Sequence, residues 1–355
     1  MEPERFRTPR PHRQDPRAIK AGRAAAAAGA AALLIAGAAC ANTESPPPAA
    51  TTGTSRPQGS NLNSATPKPT GTKTKVSAAF YPIAEAAQRV GGEAVDVTNL
   101  TPPGSGPHDL ELTGAQAAEL EKTNVVFYLS KGFQPAVEKA SKELPPTVTR
   151  VDILTGIDLL PVGDQLEGTQ GEVDGEELEG GKDPHVWVDP VLQITIATTV
   201  KDTLTKVDPG NKAVFEKNFA TYKGELEALS GKFTKGLKIC TSRVIVTSHR
   251  AFEYLAKRYD LRQIAIAGIS PDEEPDPKTL QAVADAAKKE NAKVIFFEDK
   301  LPANLAETVA REISATTDVL DPVETISEEE LGKGTTYASI QEANLEALTK
   351  GLGCS

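Results

Sequence analysis

The chain has 355 residues, of which 49 are acidic and 39 are lysine or arginine, and its formal net charge at pH 7 is −10. Domains that bind nucleic acid usually carry a basic surface, so this charge balance argues against nucleic-acid binding. The length is sufficient for two lobes besides an N-terminal extension.

The first 39 residues predict a bacterial signal peptide. A basic segment ends at Arg23, and an apolar run follows it at 24–39. This run is shorter than the roughly 20 apolar residues of a transmembrane helix. Its last residues, "LLIAGAAC", resemble the bacterial lipoprotein box, although Gly37 stands where that pattern prefers leucine. Cleavage would leave Cys40 as an acylated N-terminus anchored to the cell membrane; the alternative is an ordinary signal peptide cut nearby.

Residues 40–74 predict a lipidated cysteine followed by a disordered tether. The segment after Cys40 is rich in proline, threonine and serine and has almost no large apolar side chains. It therefore cannot bury enough surface to offset the entropy cost of becoming ordered. The folded part is expected in an extracytoplasmic, oxidising compartment, where disulfides persist.

Strands and short helices alternate over residues 75–207, which predicts a first α/β lobe with a parallel sheet. Thr113 is the expected N-cap of the second helix. The strands are predicted at 75–81, 93–100, 124–130 and 147–154, and the helices at 82–92, 113–123 and 131–144. Residues 163–183 hold eight acids and six glycines, which predicts a flexible, solvated loop. A weak cation-gathering loop is the alternative.

A long helix is predicted at 208–237, with Asp208 as N-cap and Pro209 in the first turn. Apolar side chains recur along it at spacings of four and three residues, which forms one stripe over more than five turns. The stripe consists of Phe215, Phe219, Tyr222, Leu226, Leu229 and Phe233. Such a helix is long enough to join two lobes.

The alternation resumes over 238–355 and predicts a second α/β lobe. Its strands are predicted at 243–248, 262–268, 292–297 and 317–324, and its helices at 251–260, 277–291, 302–315 and 339–352. Cys240 precedes the first of these strands and Cys354 follows the last helix, so we expect a disulfide that fixes the C-terminus. Two free thiols are the alternative.

The histidines of the mature chain, His108, His185 and His249, all fall at strand ends or in irregular segments. Ligands of open parallel α/β sheets bind just outside the carboxyl ends of the strands, so these positions favour one shared site. Neutral imidazole is the commonest protein metal ligand, and three imidazoles suit Zn²⁺, which normally takes four ligands. A carboxylate is the expected fourth ligand. Carboxylates at strand exits of the second lobe are Glu298, Glu324 and residues 272–274.

Several stretches together resemble the zinc- and manganese-binding solute-binding lipoproteins of bacterial ABC importers. The resemblance covers about residues 75–353. It is carried by "GPHDLELT", "DPHVWVDP", "VTSHRAFEYLAKRYDL", "GISPDEEPDPKTL", "IFFEDKLPANLAETVAREI" and "SIQEANLEALTKGL". It implies two parallel-sheet lobes joined by one long helix, with the metal between them. It also implies a non-enzymatic, monomeric protein that captures the metal outside the membrane and delivers it to an ABC permease.

The resemblance implies that His108, His185, His249 and Glu324 hold the metal, with Asp321 as the rival to Glu324. Zinc is the expected cargo, and manganese is the alternative. Manganese-binding members of this family often have an acidic residue at the position of His249.

The stretch "DPHVWVDP" places an aspartate on either side of His185. Metal-ligating histidines usually donate their second ring N–H to a carboxylate or a carbonyl group. Asp183 or Asp189 is therefore the expected acceptor, and the sequence does not decide between them.

The sequence supports two other classes of function less well than metal capture. A zinc hydrolase needs an open coordination position and a general base, and the sequence has no HExxH helix. A surface adhesin is compatible with a tethered lipoprotein, but the sequence has no separate adhesive module.

Overall fold

The computed structural model describes residues 67–108, 110–162, 180–271, 275–298 and 303–355. The predicted signal peptide, Cys40 and most of the predicted tether lie outside these ranges. Residues 163–179 of the acidic loop and the candidate ligands 272–274 also lie outside them. No helix within the described ranges is long and apolar enough to cross a membrane.

The first lobe has, in the described ranges, a parallel sheet of four strands in the order β2-β1-β3-β4. The strands are β1 (Thr74–Ala78), β2 (Val95–Asn99), β3 (Val125–Tyr128) and β4 (Thr149–Asp152). The helices that follow the first three are α1 (Tyr81–Gly91), α2 (Gly114–Leu120) and α3 (Pro135–Glu143). The central strands β1 and β3 are mostly buried, as expected where helices cover both faces of a sheet.

Local sequence explains where these helices begin and end. The predicted cap of α2 is confirmed, because the Thr113 side chain accepts from the backbone N–H of Gln116 in a reciprocal capping box. Helix α1 carries Pro82 in its first turn and is followed by Gly92. The φ of Gly92 is 57°, a left-handed conformation that glycine adopts at little cost.

Helix α4 (Pro190–Val207) was not predicted from the sequence. Asp189 caps it by accepting from the backbone N–H of Val191, and Pro190 occupies its first position. The predicted role of Asp208 as the cap of the linking helix is wrong. Its carboxylate instead accepts from Asn211 Nδ2 at 2.6 Å and from Thr74 Oγ1 at 3.3 Å.

The linking helix is α5 (Lys212–Gly236), which begins after a 3-10 turn at Pro209–Asn211. Its 25 residues correspond to a length of about 37 Å. The apolar stripe is buried except for Phe219, which is partly exposed and lies beneath the Lys201 ammonium group. Helix α5 packs against α1 and α4 of the first lobe and against the last helix of the second.

The described part of the second lobe repeats the topology of the first, with parallel strands in the order β6-β5-β7-β8. The strands are β5 (Val244–Thr247), β6 (Arg262–Ala265), β7 (Val294–Phe297) and β8 (Thr316–Val319). The helices are α6 (Glu253–Arg258), α7 (Pro277–Lys289), α8 (Asn304–Ile313), α9 (Glu328–Gly332) and α10 (Tyr337–Gly351). The short helix α9 was not predicted; a capping box of Ser327 and Glu330 begins it.

One hydrophobic core extends from the first lobe along α5 into the second lobe. It includes Phe80 and Trp187 in the first lobe, Phe233 on α5, and Phe252 and Leu348 in the second lobe. A smaller core lies between the second sheet and the helices α7 and α8. The lobes therefore share buried apolar surface, besides the helix that joins them.

Cys240 and Cys354 form a disulfide. Cys240 precedes β5, so the bond lies at the amino end of the second sheet. His249 follows the carboxyl end of the same strand. The disulfide and the histidine cluster therefore lie at opposite ends of this sheet.

Candidate metal centre

The strand exits of both lobes supply most of the candidate site. His108 lies in the loop after β2, His249 two residues after β5, and Glu324 in the segment after β8. His185 comes directly before a 3-10 turn, Val186–Val188, which leads into α4. The predicted site residues therefore meet where the carboxyl ends of parallel strands place ligands in open α/β sheets.

The structure brings His108, His185, His249 and Glu324 into one buried group, in which one possible ligand atom from each residue lies within 4.8 Å of the others. Glu324 Oε2 lies 3.4 Å from His108 Nε2, and Glu324 Oε1 lies 3.4 Å from His185 Nε2 and 3.3 Å from His249 Nε2. Ligand atoms around a tetrahedral zinc ion are about 3.3 Å apart, given zinc–ligand bonds of about 2.0–2.1 Å. The nitrogen–oxygen distances therefore match a tetrahedral site.

Several of these polar atoms have no hydrogen-bond partner among the described residues: Nε2 of His185 and of His249, and Oε1 of Glu324. Leaving a buried polar group without a partner costs about 1–3 kcal/mol. A cation bound between these atoms would satisfy them together. The donor set therefore fits a metal ion.

The backbone next to Glu324 is in an uncommon conformation. Val323 has a φ of 62°, which is rare for a β-branched residue and costs on the order of 1–3 kcal/mol. Its N–H donates to Asp321 Oδ1 at 2.7 Å, and the N–H of Asp321 donates to Asn344 Oδ1 at 2.8 Å. Asp321, the predicted rival ligand, thus supports the turn that presents Glu324.

The sequence left Asp183 and Asp189 as equal candidates for the second ring nitrogen of His185, and the structure places them differently. Asp183 Oδ1 lies 2.8 Å from His185 Nδ1 and also accepts the backbone N–H of His185 at 2.9 Å. Because a carboxylate can only accept, Nδ1 donates and Nε2 is left as the metal-facing nitrogen. Asp189 instead caps α4 and accepts from Arg258 Nε.

Glu298, predicted as a candidate fourth ligand, lies on the outer side of His249. Its Oε1 pairs with His249 Nδ1, whereas the nitrogen near Glu324 is His249 Nε2. The available sequence signal was its position directly after the buried strand β7. That signal did not distinguish a carboxylate that faces the centre of the cluster from one that contacts the far side of a histidine ring.

An aromatic wall borders the cluster on the side of the first lobe. The ring centroid of Phe133 lies 4.7 Å from that of His108, and the centroid of Trp187 lies 5.1 Å from that of His185. Phe80 packs against both Phe133 and Trp187. All three side chains are fully buried, so water is kept from this side of the imidazoles.

Hydrogen bonds connect the segment around Trp187 to the second lobe. Trp187 Nε1 donates to the carbonyl of Pro322 at 2.9 Å. Tyr337 Oη donates to the carbonyl of Trp187 at 2.7 Å, and Gln341 Nε2 donates to the carbonyl of Val188 at 2.9 Å. His185 is therefore held by packing in one lobe and by hydrogen bonds from the other.

The ionisable groups of the cluster strongly change one another's pKa values. Burial alone would lower the pKa of His249, but the carboxylates of Glu298 and Glu324 raise it to about 10. Burial would raise the pKa of Glu324, and the neighbouring His108 and His249 hold it well below its usual value. At neutral pH the metal-free site therefore contains a protonated His249 beside an ionised Glu324, and a bound metal would displace that proton.

Comparison with known proteins identifies clear relatives. The family model described as zinc-uptake complex component A, periplasmic, matches residues 76–351. The zinc-binding lipoprotein AdcA of Streptococcus pneumoniae serotype 4 is 35% identical over 278 residues, which are 78% of this chain and 55% of AdcA. The high-affinity zinc uptake system protein ZnuA of Bacillus subtilis is 35% identical over 283 residues, which are 79% of this chain and 88% of ZnuA.

A solved structure shows the same fold. The Zn(II)-bound ZnuA-like domain of Streptococcus pneumoniae AdcA is 32% identical and superposes with a TM-score of 0.67, covering 79% of this chain and 99% of that domain. The chain thus spans about half the length of the curated AdcA relatives, and the matching half of AdcA is a domain of its own.

Proposed function

The chain belongs to the family of zinc-uptake complex component A proteins, and on this premise we propose that it captures Zn²⁺ between its lobes and delivers it to the permease of an ABC importer. The observation that carries the proposal is the buried group of His108, His185, His249 and Glu324, whose distances suit one tetrahedral ion. The metal is cargo in this function.

The donor set supports zinc over manganese. Three imidazole nitrogens and one carboxylate form a nitrogen-rich site, and the Irving–Williams order places Zn²⁺ well above Mn²⁺ for such sites. Manganese prefers carboxylate, carbonyl and water oxygens. Manganese as cargo is therefore the weaker alternative.

The same geometry supports binding over catalysis. A catalytic zinc keeps one coordination position open for water or substrate. In this cluster all four residues are buried, and four protein ligands would complete a tetrahedral shell.

The experiment that tests the proposal is metal analysis of the purified protein, followed by titration with Zn²⁺ and Mn²⁺ in direct competition. We expect one zinc per chain and a clear preference for zinc over manganese.

The variant His249→Glu should reduce the preference for zinc over manganese because it replaces a nitrogen donor with a harder oxygen donor. Glu324→Ala should weaken zinc binding less than an alanine substitution of any of the three histidines. Equal affinity for both metals in the wild-type protein would overturn the proposal.

We further propose that the protein acts as a monomer anchored outside the membrane through lipidated Cys40. Each buried CH₂ of an acyl chain contributes about 0.8 kcal/mol, and two chains give stable attachment. The variant Cys40→Ala should be released or remain unprocessed when cells are fractionated. A variant that stays membrane-bound at mature size would contradict the anchor.

A further inference from the structure

The outer nitrogen of His249 contacts a second buried carboxylate that is outside the proposed ligand set. Glu298 follows β7, and its Oε1 pairs with His249 Nδ1. Both side chains are almost fully buried, at 0% exposed for His249 and 8% for Glu298. His249 thus lies between two carboxylates, with Glu298 on Nδ1 and Glu324 near Nε2.

This contact determines which nitrogen of His249 can bind a cation. A carboxylate accepts hydrogen bonds and does not donate them when it is ionised, so Nδ1 must carry the hydrogen that Glu298 accepts. The lone pair then lies on Nε2, the atom 3.3 Å from Glu324 Oε1. A neutral His249 held in this way presents its lone pair to the centre of the cluster in one fixed ring orientation.

A hydrogen-bonded carboxylate also makes the imidazole a better electron donor. Such outer partners orient a ligating histidine and increase the basicity of the nitrogen that binds the metal. The benefit is greater for a metal that bonds strongly to nitrogen, such as Zn²⁺, than for Mn²⁺. Glu298 can therefore affect both affinity and selectivity without touching the ion.

We infer that Glu298 is a positioning residue for metal binding, which holds His249 by Nδ1 and contributes to the preference for zinc over manganese. This inference rests on the proposed function. Asp183 has the corresponding contact to His185 from the first lobe. One imidazole from each lobe, His185 and His249, is thus held by a buried carboxylate.

The test is metal competition with the variant Glu298→Gln, which has the same shape and lacks the charge. We expect its zinc affinity to fall about 10- to 100-fold, the usual effect of removing an outer partner of a metal ligand. Manganese affinity should fall less, so the ratio of zinc affinity to manganese affinity should decrease. Glu298→Asp keeps the charge but is one methylene shorter, and its zinc affinity should lie between those of the wild type and Glu298→Gln. If Glu298→Gln does not fold, Glu298→Asp is the variant that tests the inference.

The matched control is Glu138→Gln in the first lobe. Glu138 is buried to a similar degree, with 10% of its side chain exposed against 8% for Glu298. Its carboxylate pairs with Lys142 and accepts from the backbone N–H of Gly132. The control should leave both metal affinities unchanged. The nitrogen-15 NMR signal of His249 Nδ1 should differ between the zinc-bound wild type and zinc-bound Glu298→Gln, because the hydrogen-bond acceptor of Nδ1 changes from a carboxylate to an amide. A merely structural role of Glu298 would leave that signal unchanged.

The outcomes separate this inference from the proposed function. If the wild type and the control bind zinc but Glu298→Gln retains the wild-type affinity and metal ratio, the inference is wrong and the proposed function stands. If the wild type itself does not bind zinc, both are wrong.

Discussion

His249 is the residue at which protons and metal compete most directly. Its pKa in the metal-free protein is raised to about 10, against roughly 6.5 in an unfolded chain. Its protonation therefore stabilises the metal-free fold fully below about pH 6.5, and this contribution is lost as pH rises through about 10.

Zinc affinity should have the opposite dependence on pH. Because the metal displaces the proton of His249, we expect zinc binding to tighten as the pH rises from the acidic range toward about 10 and to release protons to the solvent. Titrations at several pH values, together with calorimetry in buffers of different ionisation enthalpy, measure both effects. An affinity that is constant over this range would contradict the assignment of His249 as a ligand.

At the scale of single residues, the three histidines of the candidate site were predictable because the chain has few histidines, whereas Glu324 was indicated by the family resemblance and not by local sequence. Which carboxylate supports which ring was not predictable from local sequence. Asp183 lies two residues before His185 and Asp189 four residues after it, and Asp189 is engaged elsewhere, by the start of α4 and by the distant Arg258. The outer position of Glu298 likewise depends on how β5 and β7 pair in the sheet.

At the scale of structural elements, the segment that contains His185 also contains Trp187, whose fluorescence can report metal binding. Trp187 is fully buried, packs against the His185 ring and donates to Pro322, two residues before Glu324. A metal bound by His185 and Glu324 therefore acts on both sides of the indole. We expect zinc to change the intensity or wavelength of its emission. Zinc that raises the melting temperature but leaves the emission unaltered would count against this placement.

Helix α2 was predicted from its cap and α5 from its apolar stripe, whereas the short helix α9 was missed despite its capping box. Helix α4 was missed, although Asp189-Pro190 is the same start signal that was assigned to Asp208-Pro209. Its sequence is rich in β-branched residues, such as Ile194, Ile196 and Val200, which have weaker helix propensity. Packing against α1 and α5 outweighs that preference, and such tertiary contacts cannot be read from a local pattern.

At the scale of the whole molecule, the disulfide and the candidate site are predicted to be energetically separate. Cys240 and Cys354 are 114 residues apart, and chain entropy assigns a loop of this size up to about 4.7 kcal/mol of stability, often less in practice. Replacing both cysteines with serine should therefore lower the free energy of unfolding by about 2–5 kcal/mol. Zinc affinity should be nearly unchanged, because the bond lies at the opposite end of the second sheet. Denaturant melts and zinc titrations of the same variant test both expectations, and a large loss of zinc affinity would contradict them.

The continuous core along α5 limits how this protein can open. Swinging the lobes widely apart would expose shared apolar side chains, at about 25 cal/mol for each Å². It would also break polar contacts between the lobes, such as that from the backbone N–H of Tyr337 to Glu85 Oε2 at 2.7 Å. We therefore expect the radius of gyration from small-angle X-ray scattering to be nearly the same with and without zinc, and a marked expansion of the metal-free protein would contradict this. A permease would then distinguish loaded from empty protein by small shifts of the loops that carry the ligands, and not by a change in the angle between the lobes.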